Sequence, residues 1–204
     1  RDPIVRELSS SSVLGIVCDV TDSTQVSAAV AEAVATFGGL DLLVSNAGTF
    51  PEATPLGELS DAAWAATLAL NLDSHFKVLR AATPHLARGQ RPSVVVVASK
   101  NVPAPGPGVA AYSVAKAGLT QLARVAALEL GELGIRVNVI HPDAVFDTHL
   151  WDAAKIAARA ANYGLTVEQY KARNILRREV RAVDVANLIA RLLSNDFACT
   201  TGAQ

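Results

Sequence analysis

Short runs of branched apolar residues, separated by longer stretches with helical spacing, constrain this chain more than any other feature. The runs lie at residues 13–20, 40–44, 94–97 and 135–140. Short runs of this kind are typical of strands whose two faces are both buried, as in a parallel sheet. We therefore predict a strand at each of these positions.

The stretches between the runs carry apolar residues at the spacing of amphipathic helices. This pattern covers residues 22–37, 60–86, 110–130 and 183–193. Thr21 or Ser23 is the expected N-cap of the first helix. The alternation of strands and helices predicts an α/β layer structure with right-handed crossovers.

Composition excludes several classes of protein. The 204 residues are 50% hydrophobic and 18% charged, which supplies one sizeable core and excludes a disordered chain. The net charge of -1 gives no basic surface for nucleic acid, and no apolar run is long enough to cross a membrane. The two cysteines are too few for a disulfide framework, so we expect free thiols in a reducing cytoplasm.

Tyr112 and Lys116 are the first candidates for chemistry. They are four residues apart in a predicted helix, so they share one face about one turn apart. A phenol has a pKa of about 10, whereas a base for neutral pH needs a pKa of about 7. A neighbouring ammonium favours the phenolate, and we expect Lys116 to lower the pKa of Tyr112. Alone, the pair is a weak signal, because the same spacing arises in solvated helices.

Further polar residues stand at the carboxyl ends of the predicted strands. Ser99, the segment Asn46, Ala47 and Gly48, and Asp19 each follow or close one of the apolar runs. Asn71 lies among leucines inside a predicted helix, where a polar amide needs a partner. Parallel-sheet enzymes place their sites at this edge of the sheet, so we expect these residues to contribute to one site.

Taken together, these residues resemble the short-chain dehydrogenases/reductases over nearly the whole chain. The matching segments, in order, are Cys18-Asp19-Val20-Thr21-Asp22, Asn46-Ala47-Gly48, Asn71-Leu72, Ser99, Tyr112-Ser113-Val114-Ala115-Lys116 and Ile135-Arg136-Val137-Asn138. The resemblance implies a Rossmann-like doubly wound parallel sheet and an oxidoreductase that uses NAD or NADP. It also implies a small-molecule substrate and a homodimer or homotetramer.

The resemblance assigns roles to individual residues. Tyr112 would exchange a proton with the substrate oxygen, and Lys116 would hold the ribose hydroxyls of the cofactor. Ser99 would hydrogen-bond the substrate oxygen, and Asn71 would hold a water that links Lys116 to solvent. The residues expected to contact the cofactor are Asp19, Val20, Asn46, Ala47, Gly48, Tyr112, Lys116, Pro142 and Val145.

Three loop segments are similar to one branch of the family. They are Ser99-Lys100-Asn101, residues 141–148 and Tyr163-Gly164-Leu165-Thr166. The branch is the dehydrogenase part of bifunctional rhamnulose-phosphate aldolase/lactaldehyde dehydrogenases. This resemblance implies oxidation of lactaldehyde to lactate in rhamnose metabolism, with an aldolase domain upstream of the chain.

Five residues are candidates for the wall of a substrate pocket, namely Lys100, Asp143, Thr148, His149 and Trp151. Asp143 stands where the family usually has glycine, and Thr148 comes one residue later than the family's threonine. Residues 152–161 and 166–173 fall where the family carries a helical lobe that covers the substrate. The histidines and cysteines show no spacing that predicts a metal site.

One expected motif is missing from the sequence. The family binds the cofactor's pyrophosphate with a glycine-rich turn after its first strand, and residues 1–204 contain no such turn. The chain also contains no methionine. We therefore interpret it as part of one dinucleotide-binding domain that lacks the first two strands and the last strand, and we expect the piece alone to bind dinucleotide poorly.

Other functions stay open at this point. A catalytically idle relative would keep the fold for binding, although the presence of Asn71, Ser99, Tyr112 and Lys116 together argues against it. A sugar-nucleotide epimerase or dehydratase shares the Tyr-Lys pair, but such chains normally continue further at the carboxyl end. A serine hydrolase is disfavoured, because the sequence contains no Gly-x-Ser-x-Gly elbow.

Overall fold

Three short parallel strands form the sheet around which the molecule is built. The computed structural model describes residues 12–204, and its strands are β1 (Leu42–Ser45), β2 (Ser93–Val97) and β3 (Arg136–Ile140). They pair in the order β1-β2-β3, with Ser93 opposite both Leu42 and Arg136. The predicted α/β architecture and the last three predicted strands are confirmed. All three carboxyl ends meet at one edge of the sheet.

Helices connect the strands and cover the sheet. They are α1 (Ser23–Phe37), α2 (Asp61–Leu68), α3 (Ser74–Leu86), α4 (Ala110–Gly131), α5 (Ala153–Asn162), α6 (Val167–Lys171) and α7 (Ala182–Leu193). The N-cap of α1 is Asp22, whose carboxylate accepts from the backbone N–H of Thr24 at 2.7 Å. The expectation of Thr21 or Ser23 was wrong, because Asp22 is the residue placed to accept from the first turn.

The two faces of the sheet are buried by different helices. Val94, Val96 and Val137 pack with Leu119 of α4 in the largest apolar cluster. On the opposite face, Val95 and Ile140 pack with Leu192 of α7. Burial on both faces explains why the strands read as nearly unbroken apolar runs in the sequence.

The predicted strand at residues 13–20 is not present. This segment forms no strand, and the side chain of Val17 is fully exposed. A strand needs a hydrogen-bonded neighbour, and within residues 12–204 the sheet consists of β1, β2 and β3. The prediction of a strand here was wrong, because the segment has no hydrogen-bonded partner strand within the described residues.

The helix predicted at residues 60–86 is continuous in direction but changes its hydrogen bonding in the middle. Helix α2 passes through a π-helical turn, Ala69–Asp73, before α3 begins. Asn71 lies in this turn and is completely buried. Such π-turns often occur at functional sites, where they displace a side chain from the regular helical row.

The last residues of the chain form hydrogen bonds with the outer edge of β3. Gly202 donates its N–H to the carbonyl of Val137 at 2.8 Å, and Val139 donates to the carbonyl of Ala203 at 2.9 Å. The last residues therefore follow β3, on the side away from β2. In the part of the chain that the structure describes, none of the helices is both long enough and apolar enough to span a bilayer.

Candidate active site

A cavity of about 760 Å³ opens at the carboxyl edge of the sheet. Most of the residues predicted from the sequence as site residues line it: Asn46, Ala47, Gly48, Asn71, Ser99, Lys100, Tyr112, Lys116, Pro142, Asp143, Val145, Thr148 and Trp151. The loops that follow β1, β2 and β3 each supply part of this wall. The topology of the sheet thus brings together segments that are far apart in sequence.

Lys116 is buried beneath the floor of the cavity. It lies on α4, is only 4% exposed, and donates a hydrogen bond from Nζ to the carbonyl of Val97 at 2.9 Å. Nζ lies 6.0 Å from the centroid of the Tyr112 ring. Burial disfavours the ammonium and lowers the pKa of Lys116 to about 8, so the side chain is mainly protonated at neutral pH.

Tyr112 and Ser99 meet at the cavity wall. A hydrogen bond between the two side chains lowers the pKa of Tyr112, but burial has the larger effect and raises that pKa above its ordinary value. The expectation that Lys116 would lower it is contradicted for the chain by itself, because desolvation of the phenolate outweighs the stabilising contacts. Ser99 Oγ accepts from the backbone N–H of Asn101 at 3.2 Å. Its own proton therefore remains available for the phenol oxygen.

The buried amide of Asn71 fixes the loop after β1. Its Oδ1 accepts from the backbone N–H of Thr49 at 3.1 Å, and its Nδ2 donates to the carbonyl of Thr67 at 3.0 Å. A Cβ placed on Gly48 would lie 2.9 Å from Asn71 Oδ1 and 3.6 Å from Lys116 Nζ. Glycine is therefore required at position 48, because Asn71 approaches the backbone too closely for a side chain. The backbone of Gly48 faces the cavity without a side chain.

His75 is a buried neighbour of the site that sequence reasoning did not single out, although it does not line the cavity. It lies one turn after Asn71 and is almost completely buried, and its Nδ1 lies 2.6 Å from Ser45 Oγ. Burial and, to a lesser extent, the charge of Lys116 lower its pKa to about 3. The ring is therefore neutral at physiological pH and supports the end of β1. The only available signal was its spacing of four residues from Asn71.

Two of the predicted pocket residues bind each other. Lys100 Nζ lies 3.3 Å from Asp143 Oδ1, with both side chains partly exposed. Thr148 is turned back to its own loop, where its hydroxyl donates to the carbonyl of Val145 at 2.9 Å. Lys100 therefore does not present an uncompensated charge to the cavity.

Aromatic rings form the side of the cavity opposite the sheet. Phe50 packs edge-on against Tyr112 at 4.9 Å between ring centroids and stacks on Trp151 at 5.5 Å. Trp151 in turn contacts Phe146 at 5.1 Å, and Phe146 contacts Tyr170 on α6. The segments predicted to be helical at 152–161 and 166–173 form α5 and α6, and both face this wall.

Three predicted site residues lie outside the cavity wall. His149 is exposed, while its neighbours Thr148 and Leu150 line the cavity. Asp19 is exposed and accepts from the N–H of Thr21 at 2.8 Å, and Val20 follows it in the same turn. The structure therefore places His149 away from the predicted pocket.

The site suits one half of a nicotinamide dinucleotide. Gly48 leaves a cradle that a side chain would fill, and Asn46, Ala47, Pro142 and Val145 line the same cavity. The residues do not account for binding of the pyrophosphate, because the sequence has no glycine-rich turn to hold it. The described residues can thus hold the nicotinamide and its ribose beside Tyr112.

Comparisons with known proteins agree with this site. A family model described as enoyl-(acyl carrier protein) reductase matches residues 2–204. The short chain dehydrogenase/reductase astE of Aspergillus oryzae is 33% identical over 192 residues, which cover 93% of this chain and 71% of that protein. The chain belongs to the short-chain dehydrogenase/reductase family.

Two bacterial relatives are similar over the same share of the chain. The uncharacterized oxidoreductase YuxG of Bacillus subtilis is 35% identical over 195 residues, covering 93% of this chain but only 28% of that protein. The 4-formylbenzenesulfonate dehydrogenase TsaC1/TsaC2 of Comamonas testosteroni is 33% identical, covering 93% of this chain and 73% of that protein. The chain thus spans less than a third of the first relative.

A solved structure shows the same fold. NAD+-bound xylitol dehydrogenase superposes with a TM-score of 0.84 at 27% identity, covering 92% of this chain and 75% of that one. The Rossmann-like parallel sheet that the sequence predicted is therefore confirmed.

Proposed function

We propose that this chain is the catalytic part of an NAD(P)-dependent dehydrogenase or reductase that acts on a small hydroxy or carbonyl compound. The observation that carries the proposal is the meeting of Tyr112, Ser99 and Lys116 at one cavity at the carboxyl edge of the sheet. Family membership supports the reaction class, and the NAD+ in the related xylitol dehydrogenase supports the cofactor.

In this proposal the chain's residues position the substrate and move one proton. When bound, the nicotinamide supplies or accepts the hydride. Tyr112 exchanges the proton with the substrate oxygen, and Ser99 donates a hydrogen bond to the same oxygen and steadies its developing charge. Lys116 holds the ribose hydroxyls and contributes its positive charge, and Asn71 keeps the loop at Gly48 in place.

The raised pKa of Tyr112 sets the direction of the pH dependence. Because burial keeps the phenol protonated at neutral pH, it is ready to donate a proton during reduction of a carbonyl. Oxidation of an alcohol needs the phenolate, so we expect the oxidation rate to rise with pH. The positive charge of an oxidised nicotinamide would act in the opposite sense to burial and lower that pKa in the loaded site.

Several residues are proposed to hold the cofactor. Asn46, Ala47, Gly48, Pro142 and Val145 would contact the nicotinamide half, with Lys116 on its ribose. Asp19 and Val20 would flank the adenine, by resemblance to the family. The pyrophosphate turn would come from residues that precede this chain in a longer protein.

The finer proposal is oxidation of lactaldehyde to lactate in rhamnose metabolism, by a protein that also carries an aldolase domain. The 28% coverage of the Bacillus subtilis relative supports a longer protein, because that relative is more than three times the length of the match. The Comamonas testosteroni relative is named for an aldehyde substrate, which supports aldehyde oxidation. The aldehyde would react as its hydrate, which presents a hydroxyl to Tyr112.

The assay mixes the full-length protein with NAD or NADP and short alcohols and aldehydes, including lactaldehyde. We expect reduced nicotinamide to form together with the oxidised product. Dinucleotide binding without any turnover would favour a catalytically idle relative. Turnover of alcohols without turnover of aldehydes would refute the lactaldehyde proposal while leaving the general one intact.

We also propose that the protein is a cytoplasmic homodimer or homotetramer. Trp64 on α2 and Leu128 on α4 are apolar and exposed, and the family commonly pairs these helices between subunits. Light scattering should give a mass of two or four chains for the full-length protein, and Leu128→Glu should lower it. A monomeric mass for the wild type would contradict the proposal.

A further inference from the structure

Two arginines project into the cavity from the segments that cover it. Arg159 lies on α5 and Arg173 follows α6, and both line the cavity wall. The guanidinium carbon of Arg159 lies 5.2 Å from the centroid of the Phe50 ring. That of Arg173 lies 4.7 Å from the ring centroids of both Tyr163 and Tyr170. Packing on aromatic rings holds both groups in position before any ligand arrives.

Neither arginine is neutralised by a carboxylate within residues 12–204. The ion pairs of the described structure involve other cations, and the only carboxylate on the cavity wall, Asp143, is paired with Lys100. In addition, Arg159 Nε is buried without a hydrogen-bond partner in this part of the chain. A buried donor without an acceptor is costly, so the site lacks a group that accepts hydrogen bonds.

The cavity is strongly positive although the chain is not. Among residues 12–204, its wall carries Lys100, Lys116, Arg159 and Arg173 against Asp143 alone, while the whole chain has a net charge of -1. The charge of Lys100 is balanced by Asp143. Lys116 is already assigned to the ribose of the cofactor in the proposed function. The excess charge therefore comes from the two arginines on the covering segments.

We propose that Arg159 and Arg173 form an anion subsite that binds a carboxylate or phosphate group of the substrate, at the end remote from the reacting carbon. The inference rests on the proposed function and adds a substrate class to it. Phe50 contacts both the proposed proton donor and one of the arginines: its ring centroid lies 4.9 Å from that of Tyr112 and 5.2 Å from the guanidinium carbon of Arg159. A substrate a few carbons long can thus reach both. Guanidinium groups suit carboxylate and phosphate, since their planar donors match two oxygens at once.

The test compares substrates that differ only in charge, using the full-length protein. Succinic semialdehyde is paired with its methyl ester, and glyceraldehyde 3-phosphate with glyceraldehyde, so that carboxylate and phosphate are tested separately. We expect kcat/KM to be about 10- to 100-fold higher for the charged member of at least one pair. Lactaldehyde carries no charged group, so a strong preference for a charged aldehyde would count against it as the physiological substrate while leaving the general dehydrogenase proposal intact.

Arginine variants identify the residues responsible. Arg159→Gln and Arg173→Gln should each remove most of the preference for the charged member, mainly through a raised KM for that member. Arg191→Gln is the matched control, because Arg191 lies on α7 with a 73% exposed side chain paired to Asp196. This control should retain the preference.

Two results would overturn the inference. One is equal use of charged and neutral aldehydes, with both arginine variants losing activity toward both. The other is a raised dissociation constant for NADH in the variants with the preference unchanged, which would assign the arginines to the cofactor's phosphates.

A binding experiment distinguishes failure of the subsite proposal from failure of the proposed function. If no aldehyde or alcohol is turned over, calorimetric titration with succinate and with inorganic phosphate tests the subsite directly. Binding of either anion by the wild type but not by the Arg159→Gln, Arg173→Gln double variant would support the subsite without the activity. Absence of binding by the wild type would overturn the subsite as well.

Discussion

Tyr112 and Lys116 show how strongly burial controls the charges of this site. The sequence predicts the pair and its spacing, but it predicts a lowered phenol pKa, whereas burial raises that pKa and lowers the pKa of Lys116 to about 8. Both shifts favour the neutral forms. In the proposed mechanism, the phenolate that oxidation requires would therefore be created by the loaded site, not by the helix alone.

His75 leads to a prediction about stability against pH. Its pKa is lowered from 6.5 to about 3, so between these values the unfolded chain binds a proton that the folded chain excludes. The free energy of unfolding should therefore fall as the pH drops below 6.5, by about 2 kcal/mol at pH 5 from this group. Urea unfolding at several pH values measures it. His75→Gln should flatten the dependence, and His149→Gln, at an exposed position, should not.

Gly48 supports a second prediction about a single residue. In Gly48→Ala the new Cβ would lie 2.9 Å from Asn71 Oδ1, so the loop must shift and the cofactor contacts must weaken. We expect a higher KM for the dinucleotide and a loss of stability of about 1–3 kcal/mol. Gly57→Ala is the matched control, because a Cβ there meets nothing within 4 Å. Similar effects from both substitutions would contradict the account.

Residues differ in how visible their role is before the fold is known. Asn71, Ser99, Tyr112 and Lys116 belong to recognisable motifs, and all four line the cavity. Phe50, His75, Arg159 and Arg173 belong to no motif in the sequence. Phe50 contacts Trp151, His75 contacts Ser45, and Arg159 contacts Phe50, each across a long stretch of sequence, so these contacts appear only in the packed structure.

At the scale of elements, apolar periodicity predicts the helices and the three paired strands because these elements bury the residues that the pattern marks. Helix α4 illustrates the point, since its bounds Ala110–Gly131 nearly coincide with the predicted 110–130. The π-turn at Ala69–Asp73, which contains the buried Asn71, has no such pattern in the sequence. The strand predicted at 13–20 is absent for a different reason. A strand must pair with a neighbouring strand, and apolar periodicity gives no information about neighbours.

Helix α4 also carries a prediction about packing. Leu119 is fully buried in the main apolar cluster, whereas Leu128 on the same helix is 77% exposed. Leu119→Ala should therefore cost about 2–5 kcal/mol of stability through lost burial and the cavity left behind. Leu128→Ala should cost far less, as measured by urea unfolding at a protein concentration low enough for the proposed subunits to be separate. Equal losses would mean that α4 faces the core differently.

At the scale of the whole molecule, the sheet edge holds the proposed catalytic residues beside the residues proposed to bind only half of a dinucleotide. The fold places Gly48, Ser99 and Pro142 at the ends of three adjacent strands, but the sequence provides no pyrophosphate turn. The 204 residues alone should therefore bind NADH much more weakly than the full-length protein does. Fluorescence titration of both proteins tests this, and equally tight binding by the isolated chain would contradict it.

The central claim is that the phenol of Tyr112 exchanges the proton with the substrate. The most direct measurement is steady-state oxidation by the full-length Tyr112→Phe variant, with its fold checked by circular dichroism. Removing only the hydroxyl should lower kcat by about 10²–10⁴-fold while the dissociation constant for NADH changes little. A variant that retains kcat within about two-fold of the wild type would show that another group moves the proton.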